Sequence, residues 1–331
     1  MKRENVVGRA NVEDTPELEA YYRGLEGEAL GALWNVANEI EPYYPQPKSV
    51  PTLWKWKTVD PFVRRAAELV SAEKAARRVV MLVNPGRKEW SAAAGLLYTG
   101  VQVMNPGEFT SAHRHQASAL RFVMEGRGAY TVVDGERMLL GARDFVLTPN
   151  GTWHDHGVEA GGTQCVWQDG LDIPLMNSLD ANFYEVHPEV VQKAIAGGPT
   201  RDGWSKPYSP VFLYRWDESY KALKKDGAVY EYRNPLTGGA VMPTMGARLE
   251  LIKNFCDFRR HTGSVIYQVA TGRGWTEIGE MSGFQRFEWE EKDIFCVPSW
   301  TRYRHGAYEE SVLFSFNDFP AMRALGLYRE E

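Results

Sequence analysis

Two kinds of hydrophobic spacing divide this chain. Up to about residue 90 the apolar positions recur at helical intervals or lie among prolines; from about residue 92 they alternate in short, turn-bounded runs. Thr15-Pro16 supplies an N-cap followed by Pro at the first helical position, and predicts a helix running to about Ile40. Asp60-Pro61 repeats that start, with Phe62, Val63, Ala66, Leu69 and Val70 following at helical spacing. Between them, EIEPYYPQPKSVPTLWKW is too rich in proline for helix and predicts extended chain lying over a neighbouring surface.

The runs LLYTGVQVM, SALRFVME, GAYTVVDGERMLL and RDFVLTP have the period of half-buried strands, and Val133-Asp134-Gly135-Glu136 holds the Asp-Gly pair of a tight hairpin. Short strands recurring about every ten residues predict an antiparallel barrel or sandwich. A loop-rich stretch spans residues 176–240, and strands then resume to the C-terminus. This second region repeats the first. HRHQASALRFVMEGRGAYTVV (113–133) aligns with RRHTGSVIYQVATGRGWTEIG (259–279) at a constant offset of 146, and DFVLTPNGTWHDHG with DIFCVPSWTRYRHG at 149. Two shared stretches in the same order predict a duplicated β-barrel.

The whole chain suits that picture. Its 331 residues accommodate two domains, and 44% hydrophobic with 24% charged residues is enough to bury a sizeable core. A net charge of −5 gives no electrostatic reason for a nucleic acid or an anionic membrane as partner. No apolar run nears the roughly 20 residues of a membrane-spanning helix. The N-terminus, MKRENVVGRANVEDTPELEA, lacks the apolar segment of a secretory signal. Cys165, Cys256 and Cys296 are odd in number and far apart, which reads as reduced thiols in a cytoplasmic protein.

Candidate chemistry concentrates in the first barrel. Four of the seven histidines fall in two HxH pairs, His113/His115 and His154/His156. Two residues apart on a strand, both rings of a pair project from one face. His113, His115 and His154 therefore form a candidate metal site, although imidazole suits Fe, Zn, Cu or Ni and spacing alone does not choose among them.

Gly107-x5-His113-x-His115-x3-Ala119-x6-Gly126 and Pro149-x-Gly151-x2-His154 have the spacing of the two cupin motifs. AHRHQASALRFVMEGRGAYTVVDGE and TPNGTWHDHG resemble the bicupin gentisate 1,2-dioxygenase family, which includes salicylate and 1-hydroxy-2-naphthoate dioxygenases. LWNVANEIEPYYPQPKSVP, RRVVMLVNPG, WQDGLDIPL, NPLTGGAVMPTMGA and LFSFNDFP extend the resemblance over nearly the whole chain. It implies an all-β-dominated fold of two tandem cupin (jelly-roll) barrels behind an N-terminal helical arm. The expected bounds are 1–90 for the arm, 91–175 for the metal-bearing barrel, 176–240 for a linker and 241–331 for a degenerate barrel. It also implies Fe(II), a small aromatic hydroxy-acid and O2 as reactants, a homotetramer, and ring cleavage between the carboxyl- and hydroxyl-bearing carbons.

Most cupins carry a glutamate ligand where this chain has Ala119. Its absence leaves three neutral ligands and three open positions, room for a bidentate hydroxy-acid and O2. Arg121, two residues on, should also face the barrel interior, and its planar fork suits a carboxylate. His156 shares the face of His154 and is a candidate for acid–base work or for hydrogen bonding to substrate. By resemblance, Tyr98 and Gln102 line the pocket, and an arginine of the RRVV segment binds carboxylate: Arg77, with Arg78 in competition. Asp169 is a candidate partner of these groups, or equally a turn cap. In the second barrel Arg259 replaces His113 and Tyr303 replaces His154, leaving His261 and His305. That barrel is therefore expected to be scaffold and subunit interface. A metal-dependent isomerase or decarboxylase and a non-enzymatic aromatic-acid binder are the alternatives.

Overall fold

The computed structural model describes residues 15–331 except 76, 88–91 and 281–282, so the reading of the first fourteen residues lies outside it. Two compact units divide at Gln46/Pro47. In the first, α1 (Pro16–Gly27) and α2 (Leu33–Ile40) replace the single helix expected there. Thr15 caps α1 through its side chain, as the sequence indicated, but Ala29 takes a positive φ of 55° and ends the run. Gly24, Gly27 and Gly31 lower the helix propensity around that break.

The second unit opens with β1 (Thr52–Trp54), α3 (Trp56–Leu69), α4 (Ala72–Ala75) and β2 (Val79–Met81). The helix expected to start at Pro61 after an Asp60 cap begins five residues earlier, at Trp56, and contains Pro61. Its first backbone N–H is held by the Asp293 carboxylate at 2.7 Å, a tertiary cap invisible to local sequence. The proline-rich stretch is extended at β1, which pairs with a strand of the second barrel.

The first barrel is built from β3 (Tyr98–Met104), β4 (His113–His115), β5 (Ala119–Glu125), β6 (Ala129–Val133), β7 (Glu136–Leu140), β8 (Phe145–Thr148), β9 (His154–Val158) and β10 (Cys165–Leu171). After β10 come α5 (Ile173–Ser178), β11 (Tyr184–Val186), β12 (Leu213–Tyr214), α6 (Trp216–Asp226) and β13 (Val229–Glu231). The second barrel follows as β14 (Gly246–Ile252), β15 (Val265–Thr271), β16 (Arg273–Ile278), β17 (Gln285–Glu290), β18 (Ile294–Val297), β19 (Tyr303–Ala307) and β20 (Ser311–Asn317), closed by α7 (Phe319–Ala324). Helix α6 corrects the expectation of loop for 176–240. Its acidic first turn, basic last turn and left-handed Gly227 are ordinary helix signals.

Among the described residues all strand pairs are antiparallel. The first barrel faces a β12-β8-β5-β10-β3-β2 sheet with a β11-β4-β9-β6-β7 sheet. The second faces β1-β18-β15-β20-β14-β13 with β17-β16-β19. Duplication extends to hydrogen bonds: Ser118 N–H donates to Asp172 Oδ1, and Ser264 N–H to Asp318 Oδ1, both at 2.7 Å. The larger sheets of the two barrels share one hydrophobic core, in which Phe122 stacks on Phe314 with centroids 4.1 Å apart. That leaves the opposite face of β3, β5 and β10 for the interior of the first barrel.

Candidate metal centre and pocket

Strands β4 and β9 meet at one cross-strand pair, His113 opposite His154. His115 lies two residues along, so the three rings converge, with centroids 4.3 Å (His113–His154), 4.7 Å (His115–His154) and 5.8 Å (His113–His115) apart. Each Nδ1 is engaged by a backbone carbonyl: Ser111 at 2.7 Å, Ala117 at 2.7 Å and Thr152 at 2.9 Å. That bond requires the proton on Nδ1 and turns an Nε2 lone pair inward. All three Nε2 atoms are buried without a hydrogen-bond partner. One nitrogen from each residue lies within 4.8 Å of the others, the only such metal-binding group among the described residues. Burial first, then neighbouring arginines and histidines, pushes His113 down to about 4 and His115 to about 3, and holds His154 well below its ordinary value. The rings are therefore neutral ligands at any physiological pH.

The register of β5 and β10 places Arg121 directly opposite Asp169. Arg121 faces inward as expected, and it has a carboxylate neighbour: its Nε lies 2.9 Å from Asp169 Oδ1, both side chains buried, and its Nη1 donates to Thr148 at 2.6 Å. Asp169 sits mid-strand, so it caps no turn. Burial pushes its carboxyl up to about 6 against the opposing pull of Arg121 and Arg77. Ala119 faces Thr148 and Leu171 and adds no ligand atom.

Gln102, on the same face of β3 as Gly100 opposite Asp169, is fully buried with both amide atoms unpartnered. Leaving both buried amide atoms unmade costs about 1–3 kcal/mol each unless a ligand or water completes them. Tyr98 lies on that face too, its phenol pushed up by burial and by Asp169. His156 receives or donates a 2.9 Å bond at Thr131 Oγ1, its Nε2 is buried and unpartnered, and its ring lies 5.5 Å from that of His154.

A cavity of about 350 Å³ opens beside His115, walled by Arg77, Leu171, Ile173, Phe183 and Tyr184. Arg78 points elsewhere, paired with Glu108 and donating to Val70 O at 2.8 Å. Sequence reasoning missed Tyr184. It sits on β11, hydrogen-bonded to β4, with its ring stacked on His113 at 5.3 Å and the Arg77 guanidinium 5.5 Å from its centroid. Nothing in the surrounding loop-rich sequence signals that pairing.

A three-histidine centre inside a jelly-roll defines a cupin, and the cupin domain family model matches residues 100–174. Over 96% of its length the chain is 37% identical to gentisate 1,2 dioxygenase 1 of Aquipseudomonas alcaligenes, of which 96% is covered. It is 33% identical to the 5-aminosalicylate 1,2-dioxygenase of Comamonas sp over 95% of this chain and 90% of that one. The crystal structure of salicylate 1,2-dioxygenase from Pseudoaminobacter salicylatoxidans, an adduct with gentisate, superposes with a TM-score of 0.89. The superposition covers 100% of this chain and 98% of that one at 31% identity. The chain belongs to the gentisate, salicylate and 1-hydroxy-2-naphthoate 1,2-dioxygenase family.

Proposed function

We propose that this protein is an Fe(II)-dependent ring-cleaving dioxygenase. It opens a 2-hydroxybenzoate between the carboxyl- and hydroxyl-bearing carbons with O2. Gentisate is the first substrate to test, with salicylate, 5-nitrosalicylate and 1-hydroxy-2-naphthoate as alternatives. The observation that carries the reading is the set of three buried, unpartnered Nε2 atoms on His113, His115 and His154. Those neutral nitrogens fit a divalent first-row metal.

Iron held by His113, His115 and His154 would supply Lewis acidity toward the hydroxy-acid and O2. The chain's own side chains do the rest. Arg77 and Arg121 offer two guanidiniums against the single Asp169 carboxylate, which favours an anionic ligand. Asp169 fixes the plane of Arg121, so its fork is preorganised. Gln102 presents an amide to the ring substituents. His156, neutral in the resting protein, is placed to take or share the proton of the substrate hydroxyl. Leu171, Ile173, Phe183 and Tyr184 give the aromatic ring an apolar wall and keep water away. Tyr98 closes the same face of β3.

Several further features support the wider reading. No helix among the described residues is long and apolar enough to cross a membrane, and the three free thiols support a cytoplasmic location. Exposed Leu33, Val36, Ile40, Tyr43 and Tyr44 support the N-terminal arm as an exchange element of a homotetramer. Anaerobic reconstitution with Fe(II), followed by oxygen uptake with each acid, tests the proposal. One equivalent of O2 consumed per acid supports it; no uptake with any of these acids refutes it.

A further inference from the structure

The duplication continues past the barrels into their mouths. Gln116 N–H donates to Phe183 O at 3.2 Å, and 146 residues later Thr262 N–H donates to Arg329 O at 2.8 Å. Tyr184 pairs with His115, and Glu330 with His261. The C-terminal segment thus closes the second barrel as β11 closes the first. Beside it lies a cavity of about 430 Å³, walled by Arg248, Asn317, Phe319, Arg323 and Tyr328. No metal enters into it, because His261 Nε2 is taken by Tyr303 Oη at 2.9 Å.

We propose that this cavity is a second binding site, for a small carboxylate with an aromatic body. Charge carries the inference. Arg248 and Arg259 share one buried carboxylate, Glu250, at 2.9 and 2.6 Å. Among the described residues no other carboxylate lies within ion-pair distance of either guanidinium. An uncompensated positive charge is costly in so buried a place, and Arg248, only 15% exposed, borders the cavity.

Arg323 supplies a second cation to the same cavity. Its guanidinium lies 4.1 Å from the Tyr328 centroid and 5.8 Å from that of Phe319, and no ion pair to it is found among the described residues. Arg248 lies 5.9 Å from the Phe319 ring. Glu231 pairs with Arg233, and Glu330 accepts the Tyr328 hydroxyl at 2.6 Å but keeps its charge, so the wall carries three arginines against two glutamates. A carboxylate between Arg248 and Arg323 would complete the charge, and Phe319 and Tyr328 would flank its ring. The first barrel sets two arginines against one aspartate in the same way.

Equilibrium dialysis of the oxygen-free holoenzyme against 4-fluorobenzoate tests this. A binding class should persist in Arg121→Ala and weaken by about tenfold or more in Arg323→Ala. Oxygen-uptake kinetics of Arg323→Ala, measured without fluorobenzoate, should match the wild type. Because Arg323 is on the surface helix α7, the variant should fold; Arg323→Glu should abolish the class, and Arg323→Lys should restore part of it. Binding indifferent to all three Arg323 changes would overturn the proposal. So would inorganic phosphate or acetate displacing the probe at concentrations equal to that of benzoate, since neither uses the aromatic walls.

Discussion

The two barrels share a register but differ in what their inward-facing atoms meet. In the first, the Nε2 atoms of His113, His115 and His154 are buried and unpartnered. In the second, the corresponding positions form a closed network. Tyr303 bonds His261 at 2.9 Å and Tyr267 at 3.0 Å, and Tyr267 and Arg259 both donate to Glu250. Tyr267 stands where Arg121 does, and Glu250 where Gln102 does, by the strand registers. One barrel keeps buried polar atoms open for a ligand; the other satisfies most of them internally. A site with open ligand atoms and a mostly self-bonded interior thus come from one backbone by changing a handful of side chains. Even so, His305 keeps the pairing of its counterpart, bonding Thr276 at 2.8 Å as His156 bonds Thr131.

The largest effect expected from breaking this contrast is on turnover. His113→Ala or His154→Ala should abolish oxygen uptake, by about a thousandfold or more, whereas His261→Ala should leave it within about twofold. Steady-state kinetics on purified variants checks both. Next is stability. Glu250→Gln leaves two buried guanidiniums without a counter-charge and should cost about 3–5 kcal/mol in chemical denaturation, with ring cleavage retained in the folded fraction. Direction of charge explains why: Arg248 and Arg259 hold Glu250 well below the ordinary carboxylate range.

Substrate affinity should respond less. Arg121→Ala should raise KM by roughly tenfold to a hundredfold while metal content is unchanged, since Arg121 pairs with Asp169 and not with the histidines. An unaltered KM would remove Arg121 from the carboxylate-binding role. The smallest effect concerns two equivalent aspartates. Burial pushes Asp172 up to about 6 and Asp318 to about 7, and the Thr244 hydroxyl holds the first lower. A raised acid keeps its proton in the folded state after the unfolded chain has lost it. Stability from these groups therefore declines as pH rises from about 4 to 7. Asp318→Asn should flatten that decline by on the order of 1–2 kcal/mol, and Asp172→Asn by less, as read from urea melts across the window.

Much of this was legible in the sequence because the repeat and the histidine spacing are local patterns. His113, His115 and His154 are fixed by two-residue alternation and by the Pro-Asn-Gly turn before β9. The orientation of Arg121 followed from Ala119, since both occupy one face of β5. What escaped required contacts between distant segments. Asp169 meets Arg121 across β5 and β10, separated by nearly fifty residues, and no pattern in either strand announces the pair. Tyr184 reaches His113 only because β11 adds to the edge of β4. Helix α3 starts at Trp56 because Asp293, from the other barrel, caps it. Helix α6 differs: its charges and Gly227 are readable signals, but the prolines and glycines on either side mask them as loop.

On this account only the first barrel holds the metal. Anaerobic equilibrium titration with Fe(II), with bound iron counted per chain, tests it most directly. One iron per chain is predicted for the wild type and for His261→Ala, and none for His154→Ala. Two irons per chain, or one retained in His154→Ala, would contradict it.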